Sequence, residues 1–574
     1  MMLYSFVGFL LFLEVSLAFK EQRRAKGGCF IDRRYCYKGK RCINSDGSSY
    51  CLCSSGWVGT HCDTQETEMP CYSNPCQNGG TCTDSSSNSY TCSCSPGWMG
   101  EDCSVKISAC SSMPCQNGGL CADAENSYIC TCAEDWSGQD CTDFRGSFTN
   151  EYLLLIMWNH FYADEHPSYV YLTTNSPTTV QLSSSDSLDP ALKSQIDRNV
   201  TFTSELKIVL PPELQGQILQ KEAKAVRIKS TEPVSVVLFD NDYHSSDDSS
   251  MILPTEKLST SYTVVSTQPL RPRFPVYSSV YAIASLNDDT TVTIKFKLLN
   301  NSSPITINGK NYSDSDTLEM SLNKLETFQV GHNTDLTGTT IESSQPVAVF
   351  SGNRCNMFPG SMTCSHMMEQ LPPTAEWENF FIVPADINSN GSLIRILSAY
   401  NTTITIIKGS QTITQDVIKG IPYDINSTIS ETVVIESSNS SLMVTNFVRG
   451  NYVDANTADP YMIVVPGYYS YKPQYKVVIP DGYPQNFITV IAFKDVAQSV
   501  LINGQNVDPS MIIVQENIVI VGISYDVITL EVSPGSIEIK HSSPFGLVVN
   551  GYRSLDSYGF VGNIYNVGNY PVLG

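Results

Sequence analysis

Ile228-Lys-Ser-Thr-Glu-Pro-Val-Ser-Val236 returns further along the chain as Ile341-Glu-Ser-Ser-Gln-Pro-Val-Ala-Val349. Weaker echoes follow at Ile435-Glu-Ser-Ser-Asn439 and Ile539-Lys-His-Ser-Ser-Pro544, so isoleucines 228, 341, 435 and 539 stand 113, 94 and 104 residues apart. Self-similarity at such a spacing marks repeated units, and this period is close to the length of one β-sandwich domain. In the first three units the Pro-Val strand is followed by a loop ending in Leu253-Pro254, Leu371-Pro372 or Val465-Pro466, then by strands at Tyr262, Phe380 and Tyr475 and at Tyr281, Leu393 and Phe487.

The surrounding texture agrees. From about Phe144 onward, short runs rich in Val, Ile, Thr and Tyr alternate with Asn, Asp, Gly, Ser and Pro, as in Thr291-Val-Thr-Ile-Lys-Phe296 and Thr402-Thr-Ile-Thr-Ile-Ile407. β-branched and aromatic residues at period two fit half-buried strands, and no long amphipathic helix is legible. Residues 148–574 are therefore predicted to be all-β, as tandem β-rich modules of about 100 residues that are sandwich-like, with a β-propeller as the alternative.

The first quarter is different matter. Eighteen of the 20 cysteines lie between Cys29 and Cys141, in three groups of six. These are Cys29, Cys36, Cys42, Cys51, Cys53 and Cys62; Cys71, Cys76, Cys82, Cys92, Cys94 and Cys103; and Cys110, Cys115, Cys121, Cys130, Cys132 and Cys141. Units this small cannot bury enough apolar surface to fold on hydrophobicity alone, and disulfides at this density persist only in oxidising compartments. Six cysteines admit fifteen connectivities, so spacing alone leaves the pairing open. The N-terminus points to the same compartment: an apolar run from Leu3 to Leu13 precedes Ser16-Leu17-Ala18, which predicts a signal peptide over 1–18 and a basic linker over 19–28 containing Arg23-Arg24. No later stretch has the roughly twenty apolar residues of a membrane-spanning helix, so membrane insertion is not expected. With 57 acidic against 35 basic residues and a formal charge of -22, nucleic acid and anionic membranes are excluded as natural partners.

The repeated six-cysteine spacing, with Pro75-Cys76-Gln-Asn-Gly-Gly80 and Pro114-Cys115-Gln-Asn-Gly-Gly119, resembles the epidermal-growth-factor-like (EGF-like) module. It implies three modules, at 29–62 (divergent, lacking the Asn-Gly-Gly), 71–103 and 110–141, each paired first with third, second with fourth and fifth with sixth. Gly56-Trp57-Val-Gly59 and Gly97-Trp98-Met-Gly100 match the family's turn, where glycines permit positive backbone angles; Asp135 replaces the first glycine in the third module. The resemblance also implies O-glycosylation at Ser73, Thr81 and Ser112. The calcium ligands that some members carry before the first cysteine are largely missing, although Cys121-Ala-Asp123 resembles the family's aspartate-hydroxylation pattern.

A second resemblance rests on Asp335-Leu-Thr-Gly-Thr-Thr-Ile341, Pro346-Val-Ala-Val-Phe-Ser-Gly352, Cys355, Cys364-Ser-His366 and Glu369-Gln-Leu-Pro-Pro373. Together with Lys224 through Tyr262 these resemble the N-terminal domain family of IgGFc-binding proteins, over residues 148 to about 450 and extending toward the C-terminus. The resemblance implies an extracellular protein that binds protein or glycan ligands, with immunoglobulin Fc entering as a partner by the family's name alone. In an oxidising compartment Cys355 and Cys364 are expected to close a disulfide, and His366 to be a hydrogen-bonded structural histidine.

Eight Asn-x-Ser/Thr acceptors, Asn199, Asn300, Asn301, Asn311, Asn390, Asn401, Asn426 and Asn439, are candidate N-glycosylation sites. Asp240-Asn-Asp-Tyr-His-Ser-Ser-Asp-Asp248 gathers Asp240, Asp242, Asp247 and Asp248 as weak calcium candidates, but without the glycine and terminal glutamate of a calcium loop it reads as a solvated acidic turn. This loop and the segment Tyr461–Tyr475, with five tyrosines, are the candidate binding loops; the competing reading of the segment is that Tyr468, Tyr469 and Tyr471 pack along a sheet edge. No nucleophile elbow, His-Glu-x-x-His or phosphate-cradling loop is present, so neither catalysis nor a cofactor is expected. The expected function is secreted, non-enzymatic recognition or adhesion in mucus, matrix or defence. The alternative is an EGF-like receptor ligand or signalling modulator carried on a β scaffold.

Overall fold

The computed structural model describes residues 36–562 except 44–48, 66–69, 86–88, 96, 108, 116–118, 125–126, 133–135, 142, 145–148, 160–166, 241–247, 271–276, 359–363, 439–440, 452–457 and 521. The signal peptide, the basic linker, Cys29, Asp135, Asp242, Asp247 and Asn439 lie outside the described residues. The chain divides into two compact units, one built from the first two cysteine groups and part of the third, the other from Thr131 onward together with Cys115–Leu120.

In the cysteine-rich region each module is built on a short antiparallel hairpin, as in Gly39–Ile43 with Ser49–Cys53 and Thr81–Ser85 with Ser89–Ser93. Disulfides join Cys36 to Cys51, Cys53 to Cys62, Cys71 to Cys82, Cys76 to Cys92, Cys94 to Cys103, Cys110 to Cys121 and Cys132 to Cys141. Cys115 and Cys130 are disulfide-bonded as well. Gly56, Gly59, Gly97 and Gly100 have φ of 82°, 96°, 91° and 101°, the left-handed region their turns require.

The remainder consists of four versions of one sandwich plan with seven or eight strands each, over residues 149–251, 259–370, 380–464 and 472–561. Module 2 shows the plan. The first half of its long strand Thr340–Asn356 pairs with Ser259–Thr263 and Thr290–Lys295, the latter flanked by Thr317–Leu322. The second half crosses to the other sheet, pairing with Ser279–Ser285 and Ser365–Gln370, with Thr327–His332 outside. Val226–Asp240 and Gly535–Arg553 repeat this crossing, and module 3 splits it into Val433–Ser437 and Leu442–Val448. The sandwich reading of the sequence is the one realised; the sheets are not propeller blades.

The repeated Ser/Thr-x-Pro motif, followed by Val or Phe, is the crossing point. Proline lacks an N–H for the ladder, so it sits where the strand leaves one sheet for the other. The register with the module's first strand shifts at Pro233, Pro346 and Pro544. Each repeat isoleucine pairs with an aromatic on that first strand: Tyr152 with Ile228, Tyr262 with Ile341, Phe381 with Ile435 and Tyr475 with Ile539. The three tyrosine hydroxyls donate to the carbonyl just past the proline, Tyr152 to Val234, Tyr262 to Val347 at 2.7 Å and Tyr475 to Phe545 at 2.7 Å. Two of them also accept a backbone N–H three residues earlier, from Ser259 at 2.9 Å and Lys472 at 2.8 Å. Where the proline is absent, in module 3, the hydroxyl is absent too.

The modules close into a ring. One apolar cluster joins modules 1 and 2 through Val236, Leu238, Ala282 and Phe350. Others join modules 2 and 3 through Phe328, Leu336, Leu397 and Phe447, and modules 3 and 4 through Tyr461, Tyr471, Phe487 and Tyr525. The fourth returns to module 1, packing Tyr171, Val237 and Phe239 against Tyr475, Tyr558 and Phe560. The last strands of the modules, Asp248–Met251, Ser365–Gln370, Tyr461–Val464 and Asp556–Val561, pack together at the centre. Asp248 reaches the N–H of Met368, and Ser250, two residues on, reaches that of Gln370, so these strands advance in the same direction. The residues that enter them, Asp240, Asn356, Val448 and Arg553, consequently gather at one end of the axis.

Candidate functional site

Two polar sites grow out of this ring, one on its axis and one at a seam. On the axis, parallel edges with no ladder between them would leave buried backbone groups unpaired, and acidic side chains take those roles. Asp248 Oδ2 accepts the N–H of Met368 at 2.9 Å and of Met462 at 3.3 Å, linking module 1 to modules 2 and 3. Glu369 accepts the Ser250 hydroxyl at 2.7 Å and the N–H of Val464 at 3.2 Å. The Ser249 hydroxyl donates to the Gly559 carbonyl at 3.1 Å, bringing in module 4. Burial in this low-dielectric centre pushes the Asp248 and Glu369 carboxyls well above the usual carboxylate range.

The two ends of the Asp240–Asp248 stretch are not solvated, while residues 241–247 between them lie outside the described residues. Both end residues are buried, Asp240 on the crossing strand and Asp248 on the axis. Asp240 accepts the Ser168 hydroxyl at 3.0 Å and stands 3.2 Å from His366 Nε2, within ion-pair reach though off hydrogen-bond alignment. His366 Nδ1 faces the Arg354 carbonyl at 3.1 Å, so this histidine ties modules 1 and 2 together. The adjacent Cys355 and Cys364 form a disulfide. No group of three or more His, Cys, Asp or Glu side chains among the described residues is arranged to hold a metal ion.

The seam site lies between modules 3 and 4. A small cleft of about 20 Å³, open to solvent, is lined by Asp386, Asn388, Asn446, Tyr461, Phe487, Thr489, Thr529, Val548 and Asn550 among others. Asp386 Oδ2 accepts the hydroxyls of Tyr461 and Tyr552 and the amide of Asn550 at 3.2 Å, while Oδ1 accepts the N–H of Asn388 at 3.0 Å. Burial raises the Asp386 carboxyl pKa, partly offset by those donors. Asn446 Oδ1 is buried there with no hydrogen-bond partner.

The tyrosine-rich segment behaves as core. Tyr461, Tyr471 and Tyr475 are buried, and the half-buried Tyr468 stacks among Phe380, Tyr471, Phe493 and Tyr525, so 461–475 is not an exposed binding loop. The seven described sequon asparagines, Asn199, Asn300, Asn301, Asn311, Asn390, Asn401 and Asn426, are all exposed, as are Ser73, Thr81 and Ser112. Asp123 accepts the Cys110 N–H at 3.0 Å and Asp84 the Cys71 N–H at 2.9 Å, a structural use of the acidic position after the third cysteine. Asp248 was singled out only as a weak calcium candidate, and Glu369 and Asp386 escaped as site residues, because isolated Asp and Glu in a β-rich chain carry no spacing signal.

The family model described as IgGFc binding protein matches residues 248–551, just over half of the 574-residue chain, and the EGF-like domain model matches 71–102 and 110–140. IgGFc-binding protein from Homo sapiens is 28% identical over 228 residues, 40% of this chain and 4% of that protein. Delta-like protein 4 from Rattus norvegicus is 47% identical over 54 residues, 9% of this chain and 8% of that protein. Protein jagged-1 from Homo sapiens is 39% identical over 66 residues, 11% of this chain and 5% of that protein. The chain thus spans less than a tenth of the length of these curated relatives. No helix among the described residues is long and apolar enough to cross a membrane.

Proposed function

The chain belongs to the IgGFc-binding protein family, and from that premise we propose that it is a secreted, non-enzymatic glycoprotein that recognises protein or glycan ligands outside the cell. The single observation that carries this reading is the closure of the four-module ring, whose shared cores hold the strand ends at one face in fixed relation. A rigid scaffold presenting many strand ends suits binding, which needs loop and edge residues rather than an enclosed catalytic pocket. The EGF-like array acts as spacer or second binding surface. Residues 1–18 serve as the cleaved leader, and the exposed sequon asparagines carry glycans.

Screening the secreted protein, and separately its ring (144–574) and its EGF-like array (29–141), against glycan and extracellular-protein panels including immunoglobulin Fc tests the reading. The ring is expected to bind without the array, and equally in calcium and in chelator; binding confined to the array would contradict it. A second reading, an EGF-like receptor ligand on a β carrier, draws on the 47% identity of 54 residues to Delta-like protein 4. Receptor activation by the isolated array would favour it.

A further inference from the structure

We propose that the cleft between modules 3 and 4 binds the guanidinium or ammonium tip of a basic side chain presented by a protein partner. The inference deepens the reading of the ring as a recognition surface and rests on it.

The reasoning compares equivalent positions in the four seams. Leu442 and Phe545 occupy the same place after the crossing point, since each pairs with the residue three before the latch position, Glu378 or Lys472. Three residues on, Thr445 pairs with Arg395 and Val548 with Thr489, so Thr489 stands in module 4 where Arg395 stands in module 3. The next strand out pairs Arg395 with Asp424 and Thr489 with Thr529. The same count from Val347 leads to Ala282 and Gln329 in module 2, and from Val234 to Tyr171 and Lys207 in module 1.

In three seams a long side chain from this pair of positions crosses to the neighbouring module. Tyr171 enters the module 4 core. Gln329 accepts the N–H of Trp158 at 2.9 Å and donates to the Gly216 carbonyl at 3.0 Å. Arg395 places its guanidinium against Asp335 at 2.6 Å, the Ser266 carbonyl at 2.5 Å and Thr337 at 3.0 Å, and is held from behind by Asp424 through two bonds of 2.8 Å. In the fourth seam Thr489 and Thr529 hydrogen-bond each other at 3.1 Å and nothing from this pair crosses.

What the unfilled seam offers is acceptors. Asp386 carries a carboxylate whose Oδ1 has the single N–H of Asn388 on it among the described contacts, and Asn446 Oδ1 is buried and unpartnered. No Lys or Arg lines the cleft among the described residues. A group that only donates and carries positive charge satisfies both oxygens, as Arg395 does one seam away, and a charge-assisted pair with a partly desolvated carboxylate is stronger than a neutral hydrogen bond. Phe487 and Val548 in the wall offer apolar surface to the methylene stem of such a side chain at the open mouth of the cleft.

The probe is agmatine, which carries both cation types, titrated into the full secreted protein by calorimetry at pH 7.5, with calcium chloride in a parallel arm. One saturable site is expected. Asp386→Asn should weaken it at least tenfold with the near-ultraviolet circular dichroism unchanged. Thr489→Arg should abolish it by supplying the guanidinium from within, while leaving the fold intact or raising its melting temperature. Absence of agmatine binding to the wild type, binding indifferent to both substitutions, or saturable calcium binding in place of agmatine would each overturn the inference. If agmatine fails while the ring still captures a partner in the panels, the cleft assignment falls and the recognition role stands.

Discussion

At the scale of single residues, the tyrosine latch and the buried carboxylates carry most of the specificity. Tyr262→Phe removes a hydroxyl that both donates to Val347 and accepts from Ser259. It removes the hydroxyl from one buried and one part-buried backbone group, so unfolding free energy should fall by about 1–3 kcal/mol in denaturant titration. Phe381→Tyr should gain nothing comparable, because module 3 lacks the proline crossing that the latch serves. Glu378 accepts the N–H of Tyr469 at 2.7 Å and the Ser470 hydroxyl, and burial pushes its carboxyl up from 4.5 to about 7. A carboxyl raised in the folded state binds more protons there than when unfolded. Its favourable contribution is complete below the unfolded value and is lost as pH climbs from about 4.5 through 7. Stability should therefore drop across that window, by up to about 3 kcal/mol from this group, and Glu378→Gln should flatten that part of the profile. A profile from the variant that matches the wild type would contradict the assignment. The sequence exposed the tyrosines but not their role, since a latch joins residues about eighty apart.

At the scale of elements, the legible part was the repeat itself. Alternation and β-branched content located the strands, and the four isoleucines marked the same register position in each module. The crossing of one long strand between two sheets was not legible, because Pro-Val motifs also occur at turns and edges. The two ends of the acidic stretch, Asp240 and Asp248, were misread for a related reason. Charge in sequence suggests solvent, yet Asp248 is drawn inside by the unpaired N–H groups of two other central strands. Asp248→Ala leaves those donors without a carboxylate, and a loss of about 2–4 kcal/mol in unfolding free energy is expected. Hydrogen exchange should rise at Met368 and Met462 beyond what the global loss explains. Protection unchanged at both amides would remove Asp248 from its role as the axial link.

At the scale of the whole molecule, the chain joins two materials stabilised in different ways. The EGF-like array depends on disulfides, whereas the ring holds one disulfide, Cys355 with Cys364, among its described residues and buries five apolar clusters. Reduction should collapse the array while the β signal in far-ultraviolet circular dichroism persists. Module count and sandwich class could be read from the sequence; ring closure could not, because the contacts that close it lie between the first and last modules and leave no periodic trace. The Thr173 hydroxyl donates to the Lys476 carbonyl at 2.8 Å, and the charges of Glu538 in its own module and then of Glu205 in module 1 act on the Lys476 ammonium against the effect of burial. Zero-length carbodiimide cross-linking of the monomeric protein, read by peptide mass spectrometry, tests closure directly. The ring predicts a Glu205–Lys476 cross-link within one chain. Lys476 coupling only to Glu538 at every dose would show an open array and contradict it.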